Sequence, residues 1–75
     1  MSARLPRVTA RQAIAALKRD GWIEVRQVGS HVRLRHPDQN EDVTVAMHAG
    51  TMPVGTFKRL LNQAGLTVER FKELL

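Results

Sequence analysis

The chain has 75 residues, no cysteine and a formal net charge of +5. The lack of cysteine excludes disulfides and thiolate metal sites, and no stretch approaches the ~20 apolar residues that a membrane helix needs. One small domain over residues 1–75 is expected, and because a core of that size rarely supplies more than ~3–5 kcal/mol, it must be well patterned or supported by a partner.

Residues 1–8 read as a short basic arm, in which Pro6 blocks an early helix. Residues 1–6 contain no apolar run, so no signal peptide is read there, and a cytoplasmic protein is expected. Thr9 opens a helix, and Gln12, three residues on, completes a capping box. Ala10, Ala13, Ile14 and Leu17 fall on one helical face. Lys18 and Arg19 suit the negative end of the helix dipole, and Gly21 ends the element, which spans about 10–20.

Trp22 to Val28 alternates weakly, placing Ile23 and Val25 on a buried face and Glu24 and Arg26 on the other. Trp22 itself reads as a core or rim anchor. Gly29-Ser30 fits a tight hairpin turn. The next strand runs from His31 to about His36, with Val32 and Leu34 pointing one way and His31, Arg33 and Arg35 the other. Pro37-Asp38-Gln39-Asn40 is a turn cluster. A third strand follows, with Val43, Val45 and Met47 alternating against Thr44, Ala46 and His48. Phe57, Leu60, Leu61 and Ala64 predict a helix over about 55–64, ended by Gly65. Thr67 caps a last short helix through Phe71 and Leu74.

The order is α-β-β-β-α with a short C-terminal helix, an α+β fold. Two amphipathic helices must bury their stripes, and one sheet face offers Ile23, Val25, Val32, Leu34, Val43 and Val45. A three-stranded antiparallel sheet with its helices on one face satisfies both. This order and packing also describe the double-stranded-RNA-binding domain, although a fold does not by itself give a function.

The other sheet face is left wet and carries His31, Arg33 and Arg35. It lies in the basic half of the chain: residues 1–36 hold eight basic and two acidic residues, net +6, whereas residues 37–75 hold four and five, net −1. Nine of the twelve basic residues are arginine, which grips phosphate through a directional fork. A polyanion partner, nucleic acid first, is the functional reading of this charge. An imidazole titrates near neutral pH, so His31 could take a proton from a ribose 2′-hydroxyl while Arg33 or Arg35 stabilises charge at the adjacent phosphate. On spacing alone, the plainer reading of His31 is a surface histidine at a hairpin end.

Other chemistries find less support. The histidine spacings of 5 and 12 match no common ligand pattern, His36 should face away from His31, and no acidic cluster suits Mg²⁺, so no metal or other cofactor is expected. Ser30 beside His31 is not a hydrolase dyad, because no nucleophile elbow surrounds it. Trp22, Phe57 and Phe71 are too few aromatics for a base-stacking sheet.

Several segments together resemble the HicA toxin family. They are Asp20-Gly21-Trp22, Gln27-Val28-Gly29-Ser30-His31, Arg35-His36-Pro37, Val43-Thr44-Val45 with His48, Gly55-Thr56-Phe57 and Asn62-Gln63-Ala64-Gly65-Leu66. The resemblance covers nearly the whole chain in order. It implies a small ribonuclease of a toxin–antitoxin pair that cuts mRNA, has a double-stranded-RNA-binding-like fold and is held inactive by a HicB-like antitoxin. The family's essential histidine falls on His31. Members often carry a second histidine after it and a proline where Ala46 stands; here the former is Val32, so the resemblance assigns no second histidine. The expected site is therefore His31 as general acid or base, with Gly29, Ser30, Arg26, Arg33 and Arg35 holding RNA. Two rivals use the same surface: a non-catalytic RNA-binding module, and a basic face that only docks an acidic protein. Association with itself or with the antitoxin is left open.

Overall fold

A computed structural model describes residues 4–75; residues 1–3 of the expected arm lie outside them. The order is α1 (Ala10–Arg19), β1 (Ile23–Val28), β2 (His31–Arg35), β3 (Val43–Ala46), α2 (Val54–Ala64) and α3 (Val68–Leu74). The strands form one antiparallel sheet in the order β1-β2-β3. This is the expected α+β architecture, with each boundary within a residue or two of its sequence signal.

The signals act locally as anticipated. Thr9 accepts from the Gln12 amide at 3.1 Å, and the Gln12 side chain accepts from the Thr9 amide at 2.9 Å, closing the capping box of α1. Thr67 accepts from the Arg70 amide at 3.1 Å and starts α3. Ala13, Ala16 and Leu17 of α1, Phe57, Leu60 and Leu61 of α2, and Phe71 of α3 are buried with Val32 and Leu34 of β2 and Val43 and Val45 of β3. Phe71 meets Phe57 edge-on, with ring centroids 4.9 Å apart. The short α3 is also tied to α1: Arg19 Nη1 donates to the Leu74 carbonyl at 2.8 Å, and Arg70 Nη2 to Asp20 Oδ1 at 3.3 Å.

The basic arm is partly docked. Val8 is buried, its carbonyl accepts from the Met52 amide at 2.7 Å, and Thr9 bridges to Thr51.

The structure corrects the reading of β1. Ile23 and Val25 were expected beneath the helices, but they are 61% and 42% exposed. There are two reasons. The register of β1 against β2 shifts between Glu24 and Arg26, a bulge that reverses the side-chain alternation. In addition, α1 and α2 pack chiefly against β3, so β1 is an edge strand at the margin of the helical layer. The bulge also separates Glu24 from Arg26. Glu24 pairs with inward-facing Leu34 and reaches Lys18 of α1 at 3.7 Å, whereas Arg26 pairs with outward-facing Arg33. The residue that does enter the core is Trp22, only 2% exposed.

Candidate functional site

Register decides which side chains share the wet face. Across from β2, Val28 stands opposite His31 and Arg26 opposite Arg33 on β1; Ala46 stands opposite His31 and Thr44 opposite Arg33 on β3. Because paired residues point to the same side of a sheet, these six side chains share one surface. At its centre, Arg26, Val28, His31, Arg33 and Thr44 line a shallow depression of about 190 Å³.

Regular pairing from the hairpin puts Arg26 there, and the bulge beyond it turns Ile23 to the same face. With regular alternation through β1, a strand presenting Ile23 could not also present Arg26 on the same face. Here Ile23 pairs with Arg35 and Arg26 with Arg33, both on the wet side.

His31 is exposed at the start of β2. The turn before it is held by two contacts: Gln27 Nε2 donates to the Gly29 carbonyl at 3.1 Å, and the Met47 amide donates to the Ser30 carbonyl at 2.6 Å. Gly29 and Ser30 thus fix the approach to His31 but do not line the depression.

Arg33 and Arg35 are not the pair of unattached cations that the strand pattern suggested. Arg33 Nε donates to Asp42 Oδ2 at 2.8 Å; Arg35 donates to the same carboxylate through Nε at 2.9 Å and Nη2 at 3.0 Å. Asp42 precedes β3, and its side chain is only 9% exposed beneath the two guanidinium groups. The Arg35 hydrogen bond, aided by that from Arg33 and opposed by burial, holds the Asp42 carboxyl below the usual carboxylate range. The same bond raises Arg35 above the ordinary guanidinium value. Arg35 is set aside from the depression, whereas Arg33 lines it and, among the described residues, keeps its terminal Nη groups unbonded.

The three histidines are dispersed. His36 lies on the far side, against Trp22 with ring centroids 5.3 Å apart. Its Nδ1 accepts from the Asp38 amide at 3.0 Å, so Nε2, 2.9 Å from the Asp20 carbonyl, carries the proton and donates. That is a structural histidine. His48 is exposed beyond β3. Among the described residues, no three His, Asp or Glu side chains are placed to share an ion.

Alternation in the third strand already set Thr44 against the core-facing Val43 and Val45, but the strand pattern did not reveal Asp42 as a member of this face. The β2–β3 register, which no single strand records, is what places residue 42 beside residue 35 and residue 44 beside residue 33, through the pairing of Leu34 with Val43. The chemistry on offer is an accessible imidazole next to guanidinium donors and a hydroxyl. Such a set can accept a proton and stabilise an anion in one place.

The family model described as HicA toxin of bacterial toxin-antitoxin matches residues 10–66, from α1 through α2 and the turn after it. A comparison with curated proteins finds no match.

Proposed function

The chain belongs to the HicA toxin family, and we propose that it is the ribonuclease of its toxin–antitoxin pair, with His31 as the proton-transfer group. The observation that carries this reading is the depression shared by His31, Arg26, Arg33 and Thr44 on an otherwise open sheet face. His31 and Arg33 are two residues apart on one strand, which separates them by ~6.6 Å. That spacing suits a ribose hydroxyl at one and its neighbouring phosphate at the other. His31 takes the proton of the 2′-hydroxyl, and the freed oxygen attacks phosphorus. The bond from phosphorus to the 5′-oxygen breaks, and that oxygen takes up a proton from water as it leaves. Arg33 and Arg26 donate to the non-bridging oxygens as negative charge grows there. Arg35 and the Gly29-Ser30 turn support this set from its two ends. The proposed steps call for no metal.

The family implies an antitoxin partner, and no helix among the described residues is long and apolar enough to cross a membrane. A HicB-like antitoxin would silence the chain by covering the His31 face, presenting acidic groups to the arginines.

The test is RNA cleavage by the wild-type chain and by His31→Ala, both in chelator. The expected result is cutting by the former and loss of cutting in the latter. Full activity in His31→Ala removes the assignment, and wild-type activity that disappears in chelator points to a metal instead. RNA that is bound but never cut by the wild-type chain leaves a non-catalytic binding module. Co-expression with the neighbouring gene product should suppress growth arrest; failure of any neighbour to do so counts against the antitoxin arrangement.

A further inference from the structure

We propose that Asp42 is a positioning residue, which aims Arg33 at the reacting phosphate and gives up RNA affinity to do so. The proposal rests on the ribonuclease reading. It starts from an asymmetry in how the two arginines use one carboxylate. Arg35 meets Asp42 edge-on, through Nε and Nη2, in the forked geometry that fixes a guanidinium plane. Arg33 meets it through Nε alone. One arginine is thereby consumed as a buttress, and the other is fixed at its neck with its terminal N–H groups still available over the depression beside His31.

Left alone, an arginine on an exposed strand samples many rotamers, and holding a phosphate would require ordering all of them at once. A carboxylate that fixes Nε beforehand removes part of that requirement. The geometry comes with a loss of charge. Asp42 cancels one of the positive charges that would draw RNA to this face. Its placement also argues against a role in the core: both guanidinium groups lie on the outer face, with Arg33 and Arg35 side chains 56% and 62% exposed. The Arg35 hydrogen bond keeps the carboxyl ionised at any pH at which RNA cleavage would be assayed.

Asp42→Asn keeps the shape but removes the charge. It should lower kcat ~10–100-fold, the scale of a reacting group misplaced by about an ångström. KM should fall as well, because both guanidinium groups are released to hold RNA. Binding to a 2′-O-methyl RNA oligonucleotide, which cannot be cut, should tighten, and its dependence on log salt should steepen by ~0.7 for each added phosphate contact. Asp42→Glu restores the charge and should return the salt dependence to the wild-type value with part of kcat.

A purely structural carboxylate would lower melting temperature and kcat together without tightening RNA binding, and that outcome overturns the proposal. So does an unchanged kcat in Asp42→Asn. Two variants that leave Asp42 intact give a second route should Asp42→Asn fail to fold. Arg33→Ala should flatten the salt dependence by ~0.7, and Arg35→Ala by less than half of that, since its charge is already matched. Equal losses from the two overturn the division of labour. Binding to the uncleavable oligonucleotide is independent of turnover. A wild-type chain that binds but does not cut therefore defeats the ribonuclease reading, while the arginine comparison still decides whether Arg33 and Arg35 differ.

Discussion

Gly21→Ala should be among the most damaging single substitutions outside the core, and the structure supplies its magnitude. Gly21 follows the last turn of α1 at φ +105. A Cβ built there would lie 2.9 Å from Nε2 of His36. That nitrogen donates to the Asp20 carbonyl at 2.9 Å, while Nδ1 of the same ring accepts from the Asp38 amide. Two effects therefore add. An L-residue held at such a positive φ stores ~1–3 kcal/mol. Displacing His36 loses up to two hydrogen bonds at ~0.5–1.5 kcal/mol each. The expected loss is about 2–5 kcal/mol, against a whole-domain stability of ~4–11 kcal/mol at the usual value per residue. At ~4–8 °C per kcal/mol the melting temperature should fall by at least ~8 °C. Gly29→Ala is the control: its φ is +58, and nothing lies within 4 Å of the added carbon, so only the ~1–2 kcal/mol of left-handed backbone is lost. Thermal and urea melts followed by circular dichroism compare the two. The double variant Gly21→Ala/His36→Ala should be less damaging than the sum of the singles, because the clash and the hydrogen bonds share one ring. A Gly21→Ala chain no less stable than Gly29→Ala, or strict additivity with His36→Ala, would refute the packing argument.

Three further outcomes follow from the same structure. Leu34→Ala, at a fully buried position in the middle strand, should lose ~2–5 kcal/mol in urea melts, whereas Ile23→Ala, at 61% exposure, should stay within ~0.5 kcal/mol; the reverse order would restore the regular strand that the alternation suggested. The folded Asp42 carboxyl lies below its ordinary value, so the stability it contributes is complete above the unfolded pKa of ~3.9 and is lost as pH falls through the lower folded value. Melting temperatures of wild type and Asp42→Asn should accordingly differ near neutrality and converge in strong acid; a constant gap across pH would mean that the ion pair contributes nothing through its charge. RNA binding should weaken with salt along a slope of ~1.4–2.1, the value for two or three phosphates at ~0.7 each, and a slope of 5 or more would indicate a long basic track instead.

The fold was legible because its signals are local and agree with one another. Thr9 with Gln12, Gly21, Gly29-Ser30, Gly65 and Thr67 each mark a boundary within a few residues of chain, and the apolar periods between them leave little choice of element. The face of β2 was legible for the same reason, since alternation from His31 to Arg35 is unbroken. β1 was not. Ile23, Glu24, Val25 and Arg26 alternate in sequence, but the strand bulges between Glu24 and Arg26, and no local pattern records which residue is left unpaired. The charge partner was hidden for a different reason. Asp42 is seven residues from Arg35 and nine from Arg33, and its meeting with them depends on the β2–β3 register, a property of two strands together. Read singly, the strand offers two unattached cations. Read as a pair of strands, it offers one carboxylate shared between them.

That difference changes what kind of surface the proposed ribonuclease would present to RNA. By composition the first half of the chain is strongly basic, which suggests an extended hold on a polyanion. In the folded chain part of that charge is already answered: Lys18 by Glu24, and both Arg33 and Arg35 by Asp42. What remains around the depression, beside His31 and Thr44, is Arg26 and the outer groups of Arg33. A surface arranged in this way holds one backbone linkage closely rather than many loosely. Tight binding along a strand would slow release after each cut, whereas a short, oriented contact leaves the binding energy to act at the linkage being broken. The carboxylate beneath the arginines is therefore consistent with the proposed turnover.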